Sequence, residues 1–357
     1  MSHFIQLHLL TSYPPANLNR DDLGRPKTAI MGGAKRLRVS SQSLKRTWRT
    51  SALFEEALGQ HRGQRTKRVG LEAEQRLIEK GVKEKEARAW ATEIAKVFGD
   101  VAKGELATSQ LVHIGPEEQA AVDALVETLA AENRAPEKED LDLLRHKPAA
   151  ADIALFGRML AASPAFNVEA ACQVAHAITV HAAEVEDDYF TAVDDLNTGD
   201  EHRGAAHVGE AGFAAGLFYS YICIDRQQLV DNLNGDTELA DRAIAALVEA
   251  AVRTSPKGKQ NSFGSRAHAS YVLAEKGGQQ PRSLSVAFLR PVAGQDQAGD
   301  AVARLEAQVN AFDGAYGVGA DHRYIVSALP GYQGAKLEGE VVTGNLDGLI
   351  EFLNADH

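Results

Sequence analysis

From Gly70 to about His181 the chain reads as one helix after another, with helical segments at Glu72–Lys80, Lys83–Phe98, Pro116–Ala131, Ala151–Ala161 and Val168–His181. A proline opens the third, at the position where its missing N–H costs nothing. Only Ser109–Ile114, ahead of Gly115-Pro116, reads as a strand there. On either side the pattern changes. Phe4–Leu10 mixes apolar residues with Gln6 and His8 in near alternation, the mark of a half-buried strand. Strand-like segments resume at Gly216–Asp225, Ala267–Leu273, Leu284–Arg290 and His322–Ser327, separated by helical stretches at about 236–254 and 299–312. Helices this consecutive read as an insertion into the sheet that those strands build. The expected fold class is α+β: a two-layer sheet, ferredoxin-like or RNA-recognition-motif-like, with a large helical insertion.

At 357 residues the chain exceeds one domain of ~100–200, which agrees with such an insertion. With 44% hydrophobic and 24% charged residues it is too apolar for a disordered chain. Cys172 and Cys223 each sit in an apolar run, without CxxC spacing, and are expected to be reduced and buried. The start, MSHFIQLHLLTSY, reads as a first strand and not as a secretory leader. The longest apolar run, Ala211–Ile224, is short of the ~20 residues of a spanning helix. The expectation is a soluble cytoplasmic protein with no membrane partner.

Charge narrows the function. The formal net charge is −11, yet residues 1–70 hold 13 Lys/Arg against 4 Asp/Glu. Repeated phosphate is the simplest partner for one basic end on an acidic body, and basic-to-acidic contact between copies is another. Residues 16–39 read as a long connection, with Gly32-Gly33 either cradling an anion through backbone N–H groups or forming a plain turn before Lys35, Arg36 and Arg38. Ser40 or Ser41 then caps a helix in which Leu44, Trp48 and Leu58 form an apolar stripe and Lys45 and Arg49 share another face. A second basic loop, Ser255–Arg266, supplies Lys257, Lys259, Gln260 and Asn261. Several phosphate-binding devices without one anion geometry suggest a track for a nucleic-acid backbone. Glu184–Gly209 reads as an exposed excursion or hairpin, whose aromatic pair Tyr189-Phe190 can wedge between bases, whereas the aromatics of GLFYSY suit a core.

Signals for catalysis are weak. GxxxxGK[ST] and GxGxxG are absent. Ser41 and Lys45 lie one turn apart but in a phosphate-like setting, and the pairs His176/His181 and His202/His207 are five apart, not the four of HExxH. No cofactor, metal or catalytic residue is expected.

The stretches LNRDD, AIMGGAKRLRVSSQSLKR, ADIALFGRM, AHAITVH and DYFTAVDDL, in this order from residue 18 to 196, resemble the CasC family, the backbone subunits of the type I-E CRISPR Cascade complex. The resemblance implies a palm at 1–58, 182–192 and 222–357, helical fingers at 59–181 and a β-hairpin thumb at 193–221. It implies a non-catalytic scaffold that stacks with further copies of itself along a CRISPR RNA, beside other Cascade subunits, and shows the guide to target DNA. Carried over, it assigns the RNA backbone to Arg20, Lys27, Ser40, Gln42, Lys45, Arg46 and Arg49. It assigns the kinking of bases to Leu155, Phe156, Phe190 and Thr191. A single-copy RNA-binding module and an RNA-processing nuclease are the alternatives.

Overall fold

The computed structural model describes residues 4–192 and 207–355. The chain divides into two compact units, Ala52–Gln173 with Ile224–Ala246, and His3–Ser51 with Val174–Cys223 and Leu247–His357. The mostly helical unit thus joins one long stretch to a later segment of the chain.

The second unit is built on a sheet of β1 (Phe4–Ala16), β2 (Thr28–Met31), β3 (Ala34–Val39), β4 (Ala177–Thr179), β5 (Glu186–Ala192), β6 (His207–Asp225), β7 (Ala269–Gly277), β8 (His322–Ser327) and β9 (Val342–Gly344). Their order across the sheet is β9-β8-β7-β1-β6-β4-β3-β2, and β5 pairs with β6 off that path. β1 and β7 run antiparallel from Phe4 opposite Gly277, with a bulge at Leu10/Thr11, and β8 is antiparallel to β7 and parallel to β9. Leu10, Leu217, Tyr219, Tyr271, Leu273 and Ile325 project from one face onto Ala301, Val302, Leu305 and Val309 of the helix Gln297–Tyr316. That spacing is one stripe of a 3.6-residue period.

β1 departs from the half-buried strand expected of it, for both Gln6 and His8 are buried with their apolar neighbours. Their polar atoms are satisfied internally. Gln6 Oε1 accepts from Tyr221 Oη and from Arg282 N (2.8 Å each), and His8 bonds Tyr219 Oη (2.9 Å) and Glu275 Oε2 (3.1 Å). Glu275 in turn receives Arg282 and Arg323, and Arg323 reaches Asp313 (2.5 Å), closing a buried ionic knot. Burial opposes charge at Glu275, but the hydrogen bonds of His8 and Arg282 and the charge of Arg282 hold its carboxyl below the ordinary range. Burial pushes the His8 pKa down, with only partial opposition from Glu275.

Three other expectations fail for physical reasons. Val168–His181 is not helical: Ala177–Thr179 pairs with β3 and β6, and this tertiary pairing overrides the alanine-rich composition. Leu284–Arg290 is not a strand but a 3₁₀ turn at Ser285–Phe288, because Leu284, Phe288 and Val292 are buried at a spacing of four rather than two. Residues 16–39 are not one long connection, since β2 and β3 form a hairpin closed by Gly32-Gly33 with φ of 59° and 74°. The helix Leu346–Asn354 was not foreseen.

In the other unit, the helices Val69–Glu79, Glu84–Phe98 and Pro116–Glu132 bury Leu77, Trp90, Ile94, Phe98, Val122 and Leu129 in one core, as their periodicity implied. A two-stranded ribbon pairs Gln64–Thr66 with Val112–Ile114. The next helix stops at Phe156 rather than Ala161, since Gly157 takes φ +78°. Arg158 lies behind it, fully buried, with Nη1 on both oxygens of Glu118 (2.9 and 2.7 Å). Cys172 and Cys223 are both buried. No helix among the described residues is long and apolar enough to cross a membrane.

Candidate nucleic-acid interface

The loop that follows β1 is rigid for local reasons. Asp21 Oδ1 accepts from Leu23 N (3.0 Å) and Arg25 N (2.9 Å), an Asx-type turn completed by Gly24 at φ +80°. Asn19 ties the loop's ends together, its carbonyl accepting from Lys27 N (2.8 Å) and its Oδ1 from Ser40 N (2.9 Å). Asp21 of LNRDD thus serves turn formation, and Arg20 is left exposed on the outside.

Ser40 caps the helix Ser41–Arg49, its Oγ accepting from Ser43 N (3.3 Å). No acidic residue lies in the first turn, so the positive end of the helix dipole is not neutralised locally. The Ser41 hydroxyl faces Gln42 Oε1 (3.4 Å).

Arg20, Asp21, Ser43, Arg46, Lys257 and Gly258 are among the walls of one open cleft of about 410 Å³. Three exposed cations, Arg20, Arg46 and Lys257, thereby converge from a loop, a helix and a second loop more than two hundred residues away. Gly258 makes this convergence possible: a Cβ there would lie 2.3 Å from Leu18 O, so only glycine lets the loops touch. Asp21 is the one acid in the cleft walls, and its Oδ1 is engaged by the turn.

A second cationic site adjoins β3. Arg38 Nη1 lies 2.7 Å from His176 Nδ1, and desolvation with the charges of Arg38 and Lys27 lowers the pKa of His176, which holds it neutral as an acceptor. His176 is exposed, beside two cations. His181 is structural, Nε2 accepting from Leu217 N (3.1 Å).

The remaining residues separate by burial. Gln42 is exposed, Lys27 and Lys45 are half-buried, and Ser40 is buried by its capping role. Arg49, one turn from Lys45 on the helix, is only 7% exposed. Arg36 is fully buried and donates to the carbonyls of Thr179 (3.0 Å) and Phe288 (2.8 Å), fastening the β2/β3 hairpin to its neighbours. Gly32 is not an anion cradle, since a Cβ there would meet Leu289 O at 1.7 Å. Lys259 and Asn261 are exposed and Gln260 half-buried on a one-turn helix, and none of them lines the cleft. Leu155 (0% exposed) and Phe156 (9%) are enclosed in the helical unit. Phe190 and Thr191 stand on β5, with Phe190 42% and Tyr189 67% exposed. The thumb expected at 193–221 has residues 193–206, His202 included, outside the described residues; its described part lies in β6, which pairs with Glu186–Ala192 of the segment expected in the palm. Among the described residues no group of three or more His, Cys, Asp or Glu could hold a metal ion.

No curated protein matches the chain. Among solved structures, it superposes on a chain of a "CRISPR RNA-guided surveillance complex, pre-nicking" with a TM-score of 0.84 at 30% identity, covering 98% of this chain and 99% of that one. A chain of a second "CRISPR RNA-guided surveillance complex" matches with a TM-score of 0.75 at 26% identity, again over 98% and 99%. The CT1975-like protein family matches residues 5–351. By that near-complete match, and in agreement with the motifs that resembled Cascade backbone subunits, this chain belongs to the CT1975-like family of Cas proteins.

Proposed function

We propose that this protein is a non-catalytic scaffold subunit of a Cascade surveillance complex, which grips the backbone of a CRISPR RNA and stacks with further copies along it. The observation that carries the reading is the cleft in which Arg20, Arg46 and Lys257 converge beside an uncompensated helix N-terminus. Cations and oriented N–H groups bind phosphate without reading sequence, as a subunit must if it carries any guide. Base edges then stay free to pair with target DNA. The hairpin stem with Tyr189 and Phe190 gives exposed aromatic surface against which a base can rest. The near-complete likeness to chains of RNA-guided surveillance complexes supports the same partners, guide RNA and other subunits. The sheet unit is the palm in this reading, and the helical unit the fingers.

Co-expression with a repeat-spacer array and the neighbouring CRISPR proteins tests it. One discrete guide-length RNA is expected to copurify and to be lost when Arg20, Arg46 and Lys257 are all alanine. Heterogeneous cellular RNA, or an intact guide with the triple variant, would overturn the reading, as would RNA cleavage that depends on Ser41 or Lys45.

A further inference from the structure

We propose that Asn17, backed by the Arg25–Asp187 ion pair, is a latch that fixes the root of the β5/β6 hairpin to the loop bearing Arg20. Tyr189 and Phe190 are thereby held at a set position relative to the cationic cleft. The inference rests on the guide-RNA reading above.

Asn17 is wholly buried, and its amide nitrogen donates twice, to Gly24 O (2.9 Å) within its own loop and to Gly212 O (2.8 Å) in β6. A planar amide that serves two carbonyls at once has one orientation, so loop and strand are locked in a fixed relation. Gly212 confirms the close fit. A Cβ on it would lie 3.1 Å from Pro26 Cδ and 3.3 Å from Val185 Cγ1, tighter than ordinary packing. Gly212 stands opposite Asp187 in the hairpin register, and the Asp187 carboxylate lies 2.9 Å from Arg25 Nη1. Arg25 is itself set by the Asp21 turn that presents Arg20. Three contacts therefore meet at a single rung of the hairpin.

Tyr189 and Phe190 are two and three rungs farther along, opposite Glu210 and Gly209, or about 7–10 Å from the latch at the rise of a strand. A two-stranded ribbon is marginal on its own and swings at its root unless something holds it. Asn17 and the Arg25–Asp187 pair supply that hold. They are positioning residues, for they touch neither cleft cations nor the aromatic pair.

The test places 2-aminopurine singly along the guide RNA of the assembled complex, where an unstacked base shows as a rise in fluorescence at regular positions. Asp187→Lys is expected to lower the rise about threefold, the scale of one lost ion pair. The salt slope of RNA binding should not fall, because the cleft keeps its cations. Asn17→Ala should lower the rise further, with its fold checked by thermal melting. The swap Arg25→Asp with Asp187→Lys, at exposed positions that do not threaten folding, should restore it. A rise that survives both single variants, or a swap that restores nothing, overturns the latch alone. A wild-type complex with no regular rise overturns both the latch and the kinked-guide reading.

Discussion

The cationic cleft and the ionic knot belong to the same sheet unit and use the same side chains for opposite ends. In the knot, Arg282 and Arg323 spend their donors on Glu275 and Asp313, with His8 closing the far side. In the cleft, Arg20, Arg46 and Lys257 are exposed and have no ion pair among the described residues. Arg36 and Arg46, ten residues apart in one basic stretch, show the same division, one committed to buried carbonyls and the other to solvent. A dense run of cations is thus not a dense site. What a cation can do for a ligand depends on whether the fold has already satisfied it.

The largest effects should come from breaking the knot. Glu275→Ala leaves two arginines enclosed without their carboxylate and should cost about 3–5 kcal/mol by urea unfolding, with RNA contacts in the cleft untouched. Arg158→Leu in the helical unit, which strands Glu118, should cost a similar ~3–5 kcal/mol. A loss below about 1 kcal/mol in either would mean that the buried pairs are not what holds these cores.

Arg36→Leu comes next, at about 2–3 kcal/mol, the scale of buried hydrogen bonds from a charged donor. If it instead reduced the salt slope of RNA binding at unchanged stability, Arg36 would belong with the cleft.

Acidification should act on the knot before it acts on the cleft. His8 titrates below its ordinary 6.5 when folded, so the unfolded chain takes up the proton first and stability falls as pH drops below about 6.5. Glu275, held below its ordinary 4.5, adds a second loss as pH falls further through the carboxylate range. Urea midpoints between pH 8 and 4 should decline in both windows, and His8→Gln should flatten the upper one. A midpoint that rises toward pH 5 contradicts the neutral His8.

The smallest change in stability belongs to the cleft itself. Alanine at Arg20, Arg46 and Lys257 together should move stability by no more than about 0.5 kcal/mol, while the log–log salt slope of RNA binding falls by roughly 2, at ~0.7 per phosphate contact. Lys259→Ala, one residue outside the cleft walls, should leave both nearly unchanged. An equal slope loss for Lys259 and Lys257 would erase the distinction drawn between them.

Local pattern was legible where local physics is sufficient. The stripe Ala87, Trp90, Ala91, Ile94 and Phe98 is buried as its helical period implies, and the serine before the Leu44/Trp48 stripe is the cap. The basic end, the exposed aromatic pair at 189–190 and the helical block were likewise readable from composition and spacing. Arg49 and Arg36 were not separable from Arg46 by sequence, because burial is set by tertiary neighbours, for Arg36 by β4 and the 288–289 turn. Leu155 and Phe156 belonged to a specific motif, yet their side chains are turned into a core.

The sequence by itself therefore determined the two kinds of structure in the chain and the segments that carry charge. Those follow from composition and from periodicities of 2 and 3.6 that span only a few neighbours. Only the tertiary structure decided which charges are available. It brought Lys257 to Arg20 and Arg46 through the close approach of Gly258 to Leu18, and it bound Asn17 to Gly212 across 195 positions. Such meetings depend on the packing of segments far apart in the chain, for which no short-range pattern exists.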